Sequence, residues 1–293
     1  LAIAYGGHSS GFVANTEHFD GSAWTEVADL AGARSGSSTT PAGTAYAAVT
    51  AGGSNPSDPG VTTTGEAWSY PSTPAAQVGQ VWFNTASATL KGFAAQGTGA
   101  WASGGNANTA RYSAGGTGFQ TAAIIAGGYT TANVAIVESY NGSSWSEVGD
   151  LNTTRNTQGH VGGRSTAAIC AGGEIAQSSD ATESWNGTSW TEVAEYNTSR
   201  KKGASAGTSN EDNLFTGGYA YGTTNAAVGN TELWNGTAWT ELADLNDAGT
   251  SLGTFPSSPT SSTLVAGREH TFANTCETWN GSSWSEIAEI NTT

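Results

Sequence analysis

The sequence predicts an all-β fold, a β-propeller of about six four-stranded blades, on three observations. One phrase, WNGTSWTEVAE at 185–195, returns as SYNGSSWSEVGD, LWNGTAWTELAD, TWNGSSWSEIAE and HFDGSAWTEVAD. Short apolar runs such as TAAII and AAICA recur at a fixed distance before it and end in Gly-Gly. Eleven Trp, in a chain with 41 Gly and only 11% charged residues, need somewhere to be buried, which a disordered low-complexity chain does not offer.

Each unit of about 45 residues reads in the same order. A polar, Gly-rich segment comes first and gives strand one. The apolar run follows without polar alternation, which fits a strand two covered on both faces. Strand three starts at a recurrent Glu, with an aromatic residue two places on. Asp20-Gly21, Asn141-Gly142, Asn186-Gly187, Asn235-Gly236 and Asn280-Gly281 then stand between strands three and four. Asn-Gly is the dipeptide that best tolerates two positive φ values, so a tight hairpin is expected there. Strand four opens on Trp24, Trp101, Trp145, Trp190, Trp239 and Trp284 as equivalent residues.

The second unit departs from this order. GEAWSY runs into a long segment at Tyr70, and WASGGNANTAR resumes strand four at Trp101, so about residues 71–99 replace the turn. Within it VGQVWFNTASATLKGF alternates apolar and polar residues around a Thr-Ala-Ser-Ala tip and predicts a β-hairpin insertion in blade two. Small sheets with a Trp each cover both faces by packing around an axis. One domain over 1–293 is expected, with units at about 1–30, 31–106, 107–151, 152–196, 197–245 and 246–293. Leu1 aligns with Ala122 in strand two, so the first unit begins without its strand one, and an excerpt of a longer chain is expected.

Composition excludes several functions. A net charge of −15 with nine Lys and Arg leaves no basic face for nucleic acid or an anionic membrane. No apolar run approaches the roughly 20 residues of a membrane-spanning helix. Cys170 and Cys276 fall at unrelated repeat positions and read as buried free thiols. Sequons at Asn141, Asn152, Asn186, Asn197, Asn235, Asn280 and Asn291 follow the repeat, so turn chemistry accounts for them. The recurrent Glu (Glu17, Glu66, Glu138, Glu183, Glu232, Glu277) and the Arg before strand one (Arg34, Arg111, Arg155, Arg200) point to blade-to-blade Glu-Arg hydrogen bonding. With fewer Arg than Glu, some Glu must pair with backbone or water. DGSAW and NGSSW fail the Asp-box of sialidases, whose Asp and Gly are separated by a residue. His8, His18, His160 and His270 occupy four different repeat positions, and no HExxH or Cys pair supplies a metal site. No catalytic residue, metal or cofactor is expected.

The unit resembles a kelch repeat, in its double Gly (Gly6-Gly7, Gly52-Gly53, Gly127-Gly128, Gly172-Gly173, Gly217-Gly218, decayed to Gly267-Arg268), the aromatic of strand three and the Trp of strand four. That resemblance covers nearly the whole chain and implies the fold alone. The insertion resembles a hairpin of tail-fibre and other appendage proteins of tailed bacteriophages, through Gly79, Trp82, Asn84, Thr85, Leu90 and Lys91. GAWASGG and NTARY within 99–112 are similar to kelch-like units of predicted marine phage structural proteins. The resemblance implies a non-enzymatic virion appendage, a tail fibre or fibre tip, that recognises a host surface glycan or protein outside the cell. Other virion subunits and an oligomeric state are the further partners implied. A purely structural scaffold and a secreted bacterial kelch-type enzyme are the alternatives.

Propellers place ligands on loops at the blade ends. The strand two-to-three loops here vary in length on near-identical blades and are polar with interspersed aromatics. Phe12, Tyr129, Tyr219, Tyr221 and Phe272 are the candidate ligand contacts, suited to sugar hydroxyls and ring faces. Trp82, Phe83, Lys91 and Phe93 of the insertion are the candidate docking residues.

Overall fold

The computed structural model describes residues 2–8, 11–19, 22–36, 47–54, 62–69, 81–84, 89–92, 100–157, 160–222, 224–254, 259–268 and 273–290. All regular structure in them is β, in six antiparallel blades around one axis. Blade one holds β1 (Ala2–His8), β2 (Phe12–Phe19) and β3 (Trp24–Glu26). Blade two holds β4 (Ala47–Ala51) and β5 (Gly65–Ser69), then the inserted hairpin β6 (Val81–Asn84) and β7 (Thr89–Gly92), then β8 (Ala100–Ser103). Its expected strand one, near 37–46, lies outside the described residues. Four-stranded blades follow: β9 to β12 (Gly115–Phe119, Ala122–Ala126, Val137–Tyr140, Trp145–Glu147) and β13 to β16 (Val161–Arg164, Ala167–Ala171, Thr182–Trp185, Trp190–Val193). Blade five adds a short pair, β19 and β20 (Tyr219–Ala220, Ala226–Ala227), to β17, β18, β21 and β22 (Ala204–Ser209, Asp212–Thr216, Thr231–Trp234, Trp239–Glu241). Blade six is β23 to β26 (Gly253–Thr254, Thr263–Arg268, Ala273–Trp279, Trp284–Ile287).

The core is six seams rather than one centre. In β10 successive residues face opposite neighbours: Ala123 and Ile125 pack with Val49 and Ala51 of blade two, while Ile124 and Ala126 pack with Val161, Ala168 and Trp185 of blade four. This is the period of two with both faces buried. The ring closes on itself, because Ala2, Phe19 and Trp24 of blade one pack against Cys276, Leu264 and Ile287 of blade six. Cys170 and Cys276 are both free and buried; burial pushes the Cys170 thiol up to about 12.

Two Trp-centred devices repeat around the ring. The aromatic of strand three lies against the Trp of strand four, with ring centroids 5.3 Å apart for Trp185–Trp190 and 5.2 Å for Trp234–Trp239. The strand-four indole then reaches the preceding blade: Trp145 Nε1 donates to Gly105 O (3.1 Å), Trp239 Nε1 to Ala194 O (3.0 Å) and Trp24 Nε1 to Ala288 O (3.1 Å). Trp101 and Trp284 use the hydroxyls of Thr16 and Thr231 instead. Val137 stands at the corresponding place before Trp190, whose Nε1 is buried without a partner.

The buried Glu-Arg pairs differ from the expected blade-to-blade arrangement. Arg34–Glu66, Arg111–Glu138, Arg155–Glu183 and Arg200–Glu232 meet at 2.5 to 2.6 Å, and each guanidinium grips the Glu of its own blade. The backbone of the same Arg makes the inter-blade link: Arg155 O accepts from Gly128 N–H and Arg200 O from Gly173 N–H. The Glu completes the joint by accepting from the strand that crosses over to it. Glu183 takes Asn152 N–H and Nδ2–H and Thr153 N–H; Glu277, in the unit where Gly249 replaces Arg, takes the same three from Asn246 and Asp247. Backbone pairing of surplus Glu is thus realised. The double glycine is required at this joint, because Gly172 has φ +74° and a Cβ there would lie 2.7 Å from Arg200 O.

The Asn-Gly turns also differ from expectation. Tyr140 pairs with Trp145, so the turn has four residues, and its Gly142 has φ 95° while Asn141 is not left-handed. The Asn side chain does the work instead: Asn141 Oδ1 accepts from Ser143 N–H and Ser144 N–H at 3.0 Å, and Asn186, Asn235 and Asn280 repeat the pattern.

Near the axis, hydroxyls stitch the inner strands of adjacent blades. Thr117 Oγ1 donates to Gly163 O (2.6 Å), Ser205 Oγ to Val161 O (2.9 Å) and Thr254 Oγ1 to Ser205 O (3.1 Å). His160 joins blades four and five as a neutral ring, with Nδ1 2.6 Å from Ala171 O and Nε2 accepting Gly203 N–H at 3.0 Å. Burial, then the Arg200 charge, lowers its pKa from 6.5 to about 3. Between those values the unfolded chain binds a proton that the folded chain refuses. Its stabilising contribution is complete above pH 6.5 and is lost as pH falls toward 3. Thermal unfolding is expected to move to lower temperature through this window, and His160→Gln, with nothing to titrate, to flatten that fall.

Candidate recognition face

In blades two to five the strand two-to-three loop and the crossover into strand one emerge side by side. Single backbone bridges tie them: Ser35 to Ser54, Tyr112 to Tyr129, Asn156 to Glu174 and Lys201 to Tyr219. The residue after the repeat Arg therefore shares a face with the variable loop. Sequence reasoning selected the loops, Glu174 and Ile175 among their residues without naming them as contacts, and missed Tyr112 and Lys201; the signal that finds these two is the varied residue just after a constant Arg.

Across blades three to five this face forms one strip. Tyr112 and Tyr129 lie with ring centroids 5.3 Å apart. Partial burial, then Tyr129 and the Glu174 carboxylate, raises the Tyr112 phenol above its ordinary value, so it stays a neutral hydrogen-bonding group. Asn133 Nδ2 crosses to blade four, donating to Glu174 O (2.8 Å) and Ile175 O (2.7 Å). Glu174 pairs with Lys201 of blade five at 2.8 Å, and Lys201 Nζ stands 5.3 Å from the centroid of the Tyr221 ring. Ser178 of blade four fixes the next loop by donating to Tyr219 O (2.9 Å) and accepting from Tyr221 N–H (2.7 Å).

The predicted contacts divide accordingly. Tyr129, Tyr219 and Tyr221 fall in this strip, with Tyr219 and Tyr221 stacked at 6.5 Å. Tyr219 spends its hydroxyl on Asn225 O (2.8 Å), whereas Tyr221 is 44% exposed. Phe12 stands apart on blade one, edge-on to His8 at 5.2 Å. Phe272 and Phe93 lie outside the described residues, as do the side chains of Trp82, Phe83 and Lys91, whose backbones form the hairpin with Trp82 opposite Lys91. Among the described residues no three His, Cys, Asp or Glu side chains gather to hold a metal.

A scan against protein-family models gives no match, and a search of curated proteins gives none either.

Proposed function

We propose that this chain is a kelch-like, non-enzymatic recognition propeller of a virion appendage, whose loop face over blades three to five binds a host-surface glycan. The observation that carries this reading is the placement of Ile175 and Tyr221. Among the described residues they are the exposed large hydrophobic side chains, at 41% and 44%, and their loops touch across one blade seam. An aromatic ring face flanked by amides, hydroxyls and one ammonium group matches the alternation of apolar and hydroxylated faces on a sugar ring. The virion setting rests on the resemblance of residues 79–91 to phage appendage hairpins.

The test is binding of the soluble chain to intact bacteria and to their purified surface polysaccharides. Tyr221→Ala is expected to weaken binding by about tenfold or more, as loss of an aromatic anchor does. No binding to any cell or polysaccharide, or binding indifferent to this change, overturns the reading. A second reading, a structural decoration docked through the insertion, draws on β6 and β7 forming a two-stranded sheet of their own, separate from that of β4, β5 and β8.

A further inference from the structure

Among the described residues the fourth strand of each blade is the last strand of its sheet. In five blades the same acidic pattern guards it. Glu26, Glu147, Glu192, Glu241 and Glu286 stand on the strand two residues after its Trp, and Asp29, Asp150, Glu195, Asp244 and Glu289 follow just past its end, where Asp29, Asp150 and Asp244 turn back to accept the N–H of Thr16, Val137 and Thr231 in strand three. All ten are exposed. Blade two breaks the pattern at both places, with exposed Ser103 and Asn106, and β8 carries no charge at all. Its Trp101 is half-buried, whereas the five equivalent Trp are only 5% to 8% exposed.

Charges on an edge strand prevent edge-to-edge pairing with another chain. The chain carries a net −15, and four of its nine Lys and Arg are consumed in buried pairs. Two copies meeting along any of the five guarded edges bring carboxylates face to face, which is unfavourable in a sheet. At blade two they meet without that repulsion. From this charge gap we infer that the outer edge of blade two is a self-association surface, where β8 pairs antiparallel with β8 of a second copy about a twofold axis. Such a contact is self-complementary: main-chain hydrogen bonds supply the attraction and the guarded edges exclude other registers. It goes beyond the recognition reading, since the strip on blades three to five does not include β8.

Sedimentation velocity of the purified chain over a range of concentrations tests this. A reversible dimer is expected, and Ser103→Glu is expected to raise its dissociation constant by about two- to fivefold, the size of one like-charge contact at an edge. Glu is what five sister blades carry at this place, so the variant keeps the fold. Thr191→Glu, which adds the same charge to the outer strand of blade four, is expected to leave the dimer unchanged. A chain that is monomeric at every concentration, a dimer indifferent to Ser103→Glu, or one equally weakened by Thr191→Glu overturns the inference.

Discussion

Arg155→Ala lowers the unfolding free energy by about 3–5 kcal/mol, the cost of leaving one charge of a buried pair without its partner. Arg155 and Glu183 are both fully buried and meet at 2.5 Å. The guanidinium also serves Ala181 O (2.6 Å) and Gly172 O (3.2 Å), so its loss strands two carbonyls beside the carboxylate. Combining Arg155→Met with Glu183→Gln is expected to recover part of the loss, because no charge then stays buried while the amide oxygen still accepts from the crossover. Urea denaturation of the three proteins, compared at equal slope, reads the difference. A single variant no worse than the double would mean that the carboxylate is neutralised by another route.

Trp239→Ala is expected to cost a similar amount, about 3–5 kcal/mol. The ring has centroid distances of 5.0 Å to Tyr196, 5.4 Å to Phe215 and 5.2 Å to Trp234, so its removal opens a cavity across the seam between blades four and five. Phe in its place keeps much of the packing and loses the bond to Ala194 O. Trp190 provides the internal comparison, since its indole N–H has no acceptor. Trp190→Phe should therefore be milder than Trp239→Phe by about 1 kcal/mol, the net worth of one hydrogen bond. Equal losses in matched thermal melts would remove the hydrogen-bond account and leave packing alone.

Much of this architecture was legible in the sequence because it repeats. Trp24, Trp145 and their equivalents marked strand four, Gly172-Gly173 marked the end of strand two, and TAAII declared a strand buried on both faces. The errors have local causes. Asn141-Gly142 invited a mirror-image turn from its dipeptide, but the two residues before Trp145 gave the Asn side chain N–H groups to cap, and that geometry prevailed. Glu and Arg were recognised as partners, yet which blade each one gripped depended on how the chain crosses between sheets. The candidate site was legible only in part for the same reason. Tyr129, Tyr219 and Tyr221 lie in loops whose variability is visible along the chain, while Tyr112 and Lys201 join them only once strand one is seen to start on the same face.

The indole bond from Trp24 to Ala288 spans 264 residues of sequence, against 40 for the equivalent bond from Trp145 to Gly105. Closing that longer loop from an unstructured chain costs about 1.7 kcal/mol more in chain entropy. Neighbouring blades thus dock ahead of the two ends, and the seam between Ile290 and Ala2 is the late, topologically demanding step. Until it forms, Phe19 and Trp24 on one side and Leu264 and Ile287 on the other present matching apolar faces. Until that seam forms these faces can find each other between molecules as well as within one, so ring closure is the step at which the chain is most exposed to aggregation.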